Sequence, residues 1–142
     1  MDYKQLTAPC GRDCFNCSLY HARDNEKLRG IVAKKYKLDP ETAFCNGCRA
    51  EDGIIEFVGM KKPCPIFSCA EAREVEFCGD CQNFPCDHLQ PIAHLADKFD
   101  HNTKVYNLCL IKKMGLENWA EQKAKEVKES YFTKKLHFLI LD

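Results

Sequence analysis

Between Leu19 and Tyr36 the apolar positions return every three or four residues. Leu28, Ile31 and Val32 fall on one helical face, with charges on the others. The spacing predicts a helix over 19–36, with Lys34, Lys35 and Lys37 suited to its C-terminal end. Asp39-Pro40-Glu41 reads as an N-cap followed by proline, starting a short turn towards Cys45. The run from Gly53 to Gly59 is apolar and bounded by glycines, which predicts a strand. Ala70 to Glu76 is expected as a short helix. From about Pro91 the helical period returns, with Ile92, Leu95 and Phe99 in register. Asn102 or Thr103 is placed to cap a second helix carrying Val105, Leu108, Cys109 and Lys112, stopped by Gly115. Glu117 to Tyr131 predicts a third, with Trp119, Ala120, Lys123 and Val127. The fold class expected is α+β. A small irregular cysteine-rich knuckle or ribbon-like region with short strands spans 1–90, and a helical region spans 91–142, packed on it as one structural domain.

Cysteine changes that picture most. A chain of 142 residues can bury a core unaided, so eleven cysteines exceed what stability requires. No basic and then apolar leader precedes Cys10, and the longest purely apolar stretch, Phe138 to Leu141, is too short to span a bilayer. With an odd cysteine count, this places the chain in the reducing cytoplasm, where clustered cysteines mean metal or redox chemistry.

Charge narrows the partners. The formal net charge is zero, but residues 1–39 carry eight Lys/Arg against five Asp/Glu, residues 40–100 five against eleven, and residues 101–142 eight against five. An acidic centre argues against nucleic acid as partner, since phosphate must be neutralised. A protein partner is the expectation, and a membrane is not.

Ten cysteines fall in four groups: Cys10-x3-Cys14-x2-Cys17, Cys45-x2-Cys48, Cys64-x4-Cys69 and Cys78-x2-Cys81-x4-Cys86. Two thiolates two residues apart reach one ion across a turn, and a second pair completes a tetrahedron. Cys45, Cys48, Cys64 and Cys69 come closest to a zinc-ribbon pattern, although the second pair has the wider x4 spacing. Cys14, Cys17, Cys78 and Cys81 are two further pairs for a second ion. Cys10 and Cys86 are then spare thiols, bridging ligands of a two-metal six-cysteine cluster, or members of a third site completed by His21 or His88. Two zinc ions are the expectation.

An iron–sulfur cluster is the alternative. Cys10-x3-Cys14-x2-Cys17 has the spacing of radical S-adenosylmethionine enzymes, but those need a large barrel that this chain is too short to build. Neither this run nor Cys78 to Cys86 reproduces the ferredoxin spacing. Cys109 reads as a buried small hydrophobe, and His94, His101 and His137 as ordinary surface or core histidines. Trp119 reads as core. Lys123, Lys125 and Lys128 read as a solvated face paired with Glu121 and Glu126. Asp13, Asp80 and Asp87 read as turn caps.

These motifs resemble the cysteine-rich family called domain of unknown function 3795. The matching segments are Ala8 to Cys14 through Cys17 and Tyr20, Cys45 to Arg49, Cys64-Pro65-Ile66 to Cys69-Ala70, and Phe77 to Cys86. The Gly115 to Trp119 segment looks like the family's later Gly-x-x-x-Trp element, so the resemblance runs over roughly residues 8–120. It implies zinc binding and supplies no activity.

No H-E-x-x-H, Gly-rich phosphate loop or nucleophile elbow is present, and Ser18, Ser68 and Ser130 are the only serines. The sequence therefore leans away from an enzyme, towards an interaction or adaptor module with structural zinc. The competing function is redox or metal handling by a reactive Cys10 or Cys86.

Overall fold

The computed structural model describes residues 1–134. Phe138 to Leu141 and His137 lie outside them. Six α-helices follow in order: α1 (Ser18–His21), α2 (Glu26–Tyr36), α3 (Pro65–Ala72), α4 (Lys104–Met114), α5 (Leu116–Gln122) and α6 (Ala124–Thr133). Short 3-10 turns connect them, among them Cys14–Asn16 and Cys78–Asp80.

The α+β expectation is overturned. Among the described residues there is no sheet, and the β pairing consists of a single antiparallel bridge, Thr7 with Asp13. The segment 53–59 is not a strand. Its glycines take positive φ (75° at Gly53, 77° at Gly59), and Glu56–Val58 coil into a 3-10 turn. A short apolar run bounded by glycines meets the strand pattern, but no other described segment forms a ladder with it, and most of its hydrogen bonds close within a few residues instead.

The helices also shift. The stretch 19–36 is cut at Asn25, whose side chain accepts from the Leu28 amide and starts α2 afresh. Val32 is buried and Leu28 partly so, while Ile31 is exposed. Asp39 forms a turn, its carboxylate accepting from the Glu41 amide. The helix expected at 70–76 begins earlier, because Pro65 occupies its first turn. Residues 92–99 form no helix, and Leu95 sits in the left-handed region at φ 60°. The helix expected over 117–131 breaks at Lys123 into α5 and α6. Gly115 ends α4 as the sequence predicts, at φ 85°.

Three apolar clusters hold these pieces. Phe15 packs edge-on to Trp119 at 5.8 Å, with Ala120 and Ala124, so α5 and α6 close over the first cysteine loop. Leu19, Ala22 and Val32 gather the helices following that loop. Phe77, Leu89 and Leu108 seat α4 against the last cysteine group.

Candidate metal centre

The first cysteine group sits on a tight hairpin. The Ala8 amide donates to the Arg12 carbonyl (2.9 Å), and the Cys14 amide to that of Leu6 (2.9 Å). Gly11 at its tip takes φ 84°, and a Cβ there would meet the Leu108 side chain at 2.9 Å and the Lys104 carbonyl at 3.0 Å. Only glycine lets the hairpin approach α4 this closely. The second knuckle turns at Gly47, φ 97°, whose amide donates to the Cys45 sulfur at 3.3 Å. Glu51 reaches back to accept from the Asn46 amide at 2.8 Å. Beside it, Arg49 donates to the Thr7 carbonyl (2.9 Å) and the Glu76 carbonyl (2.7 Å), tying three segments together.

The ten motif cysteines line two cavities. Cys10, Cys14, Cys17, Cys45, Cys48 and Cys64 line a cleft of about 890 Å³. Cys69, Cys78, Cys81 and Cys86 line a small pocket of about 100 Å³. This regroups the sequence-based sets. Cys45 and Cys48 share a wall with Cys14 and Cys17, while Cys64 and Cys69 part company. His88 joins the small pocket, whereas His21 engages the Phe15 carbonyl at 2.7 Å. His94 and His101 line the cleft. Cys109 is exposed rather than buried, because α4 turns Leu108 and Asn107 inward instead.

Burial dominates the thiols. It pushes Cys45 and Cys78 up to about 12 and also raises Cys10, Cys14 and Cys48. Neighbouring sulfurs add to the rise at Cys48 and Cys78. Without a cation these thiols are neutral at pH 7, and a divalent ion would reverse that balance. The donor chemistry therefore fits zinc, which takes thiolates. Their placement fits less well, since among the described residues no three His, Cys, Asp or Glu side chains are gathered closely enough to hold an ion. The thiols share walls without converging on a point.

Charged side chains missed by the spacing argument back the cleft. Arg12 pairs with Asp100 at 2.8 Å, and Lys128 with Asp13 at 2.8 Å and Asp100 at 3.5 Å. The Asp13 contact is an ion pair out of line for a hydrogen bond, since its buried Oδ1 accepts none. Burial raises the Asp13 carboxyl against the pull of Lys128. At Asp100 burial acts the same way, but Arg12 and Lys128 win and hold it below the usual range. Lys128 is thus not part of a solvated face, although Lys123 pairs with Glu126 at 2.9 Å. Asp13 is no mere turn cap. Asn107, also buried, donates to the Gly11 carbonyl at 2.9 Å and accepts from the Trp119 indole at 3.4 Å. Arg12 and Arg49 stand beside motif cysteines and were findable that way. Lys104, Asn107 and Lys128 carry no such mark.

The fold and these walls define a small helical cysteine-rich protein, with no helix among the described residues long and apolar enough to cross a membrane. The family model DUF3795, a protein of unknown function, matches residues 6–91, more than half of the chain. The chain belongs to this family. The match ends before Gly115 to Trp119, so the later part of the resemblance lies beyond it. No curated protein and no solved structure matches the chain significantly.

Proposed function

We propose that the chain is a cytoplasmic zinc-binding interaction module holding two ions, one at each cavity, with structural rather than catalytic sites. The observation that carries this reading is the small pocket. Four thiols from α3 and from residues 78–86 line it together, which is the donor count of a closed structural zinc site. The ligands would have to draw inward on binding, so metal affinity and local folding are coupled. The first ion is assigned to the cleft, with Cys14, Cys17, Cys45 and Cys48 as its ligands and Cys10 and Cys64 adjacent. Val58, Ile92, Leu95 and Phe132 stand exposed around that cleft and suit a protein partner.

One observation favours an iron–sulfur cluster at the cleft. Six thiols line it, and its volume exceeds what a single ion needs. Elemental analysis and an absorption spectrum of anaerobically purified protein separate the two. Two zinc ions per chain and no visible absorption support the zinc reading. Stoichiometric iron and sulfide with visible absorption overturn it at the cleft, and less than one metal of any kind overturns both.

A further inference from the structure

Four of the seven exposed large apolar side chains among the described residues line one cleft. Val58, Ile92, Leu95 and Phe132 are 36 to 52 % exposed and come from three separate segments, and Phe57 and Met60 extend the same wall. Apolar side chains gathered on one side of a small protein mark a docking surface. The formal charges lining the cleft cancel: Arg12, Lys35, Lys98 and Lys128 stand against Asp13, Asp97, Asp100 and Glu129. A polyanion gains no net attraction from such a wall. The occupant it suits is apolar and uncharged.

The chain supplies such a segment at the edge of the cleft. Glu129, Phe132 and Thr133, in the last turns of α6, line the cleft. Lys134 follows in the extended region, at φ -71° and ψ 116°, so the backbone leaves α6 beside the opening. Residues 135–142 then bring five large apolar side chains, Leu136, Phe138, Leu139, Ile140 and Leu141, and no Lys, Arg, Asp or Glu interrupts 136–141. Eight extended residues reach about 26 Å, enough to cross a cleft of about 890 Å³. A segment tethered at the wall also meets the cleft at a far higher effective concentration than a free partner does. We infer that residues 136–141 are the occupant of this cleft: they dock against Val58, Ile92, Leu95 and Phe132 and cover its mouth. The protein partner proposed for this rim then binds by displacing them. No metal is needed for the contact.

The test uses the full chain with benzoyl-phenylalanine, a photo-crosslinking residue, in place of Phe138, and in a second protein in place of Leu141. Irradiation and peptide mapping should find crosslinks within one chain to residues 55–60 or 92–99, at a yield unchanged by dilution. Crosslinks that join two chains and fade on dilution would assign the rim to a second copy. Crosslinks elsewhere, or none, would place the segment off the cleft. Each of these results overturns the inference. A second measurement uses Leu139→Asp/Leu141→Asp, with the emission of the buried Trp119, which does not line the cleft, reporting that the core is intact. Binding of a hydrophobic dye should rise severalfold over wild type, and dye binding equal to wild type overturns the inference as well.

Discussion

Cys64 and Cys69 lie at the start and in the body of the same helix, yet their thiols face different cavities. Cys64 is the N-cap of α3 and Cys69 follows five residues on. At about 100° per residue the two are roughly 140° apart around the axis. An x4 spacing on a helix therefore divides a pair of thiols that an x2 spacing across a turn would unite.

The division predicts how cysteine substitutions combine. Cys69→Ser and Cys78→Ser should each lower the zinc content by one ion, and the double variant by no more than one. Cys48→Ser combined with Cys69→Ser should remove both. Metal analysis of the four proteins checks this, and equal zinc in Cys48→Ser/Cys69→Ser and Cys69→Ser would place both residues on one ion.

Metal uptake should acidify the medium. Burial raises Cys10, Cys14, Cys45 and Cys48 in the cleft and Cys78 in the small pocket, Cys45 and Cys78 to about 12, so these thiols are protonated at pH 7. Each thiol that becomes a ligand releases about one proton. Zinc added to the reduced apoprotein in weak buffer should release about four protons per ion. A release near zero would mean that the thiols are not the ligands.

Acid should attack the ion-paired centre through Asp100. Its folded carboxyl lies below the unfolded value of about 3.9, so the unfolded state binds the proton more readily. That contribution is fully present above the unfolded value and is lost as pH falls through the lower folded one. Asp100→Asn should remove it, leaving Arg12 and Lys128 with one carboxylate between them. Urea unfolding at pH 7 should show a loss on the order of 3 kcal/mol, the cost of breaking a buried pair. The difference between wild type and variant should shrink below pH 4.

Gly11→Ala tests the hairpin tip. Its φ of 84° and the 2.9 Å approach to Leu108 leave no room for a methyl group. The loss should exceed about 1 kcal/mol, the scale of the backbone effect alone. Gly30→Ala, in α2 with nothing near its Cβ position, should be neutral or stabilising. Melting temperatures of the two variants make the comparison.

Local signals in the sequence carried as far as local structure does. Gly115 ends α4, Gly47 turns the knuckle, and Trp119 is fully buried, each fixed by the residue's own stereochemistry or size. The Gly53 to Gly59 run misled because period and composition fit a strand, while a strand exists only with a partner to pair with. The same applies to Ile92, Leu95 and Phe99, whose helical spacing is overridden by a left-handed Leu95. Cysteine spacing singled out the ten thiols that line the two cavities but not their grouping, since that depends on where α3 turns Cys69. Lys128 looked solvated from its neighbours in sequence, because its partners Asp13 and Asp100 are set by tertiary packing.

The hydrogen bonds that fasten the first hairpin reach far along the chain: Asn107 to Gly11 across 96 positions, and Lys128 to Asp13 across 115. On a ribosome adding about 5–20 residues per second, Cys10, Cys14 and Cys17 are made roughly 6–23 s before Lys128. During that interval the nascent thiols have Arg12 beside them but neither Lys128 nor the C-terminal helices that later enclose them. They are open to oxidants and to whatever metal the cell offers first. On the zinc reading, the order of synthesis thus sets a window in which the choice of ion would be made before the fold that would keep it exists.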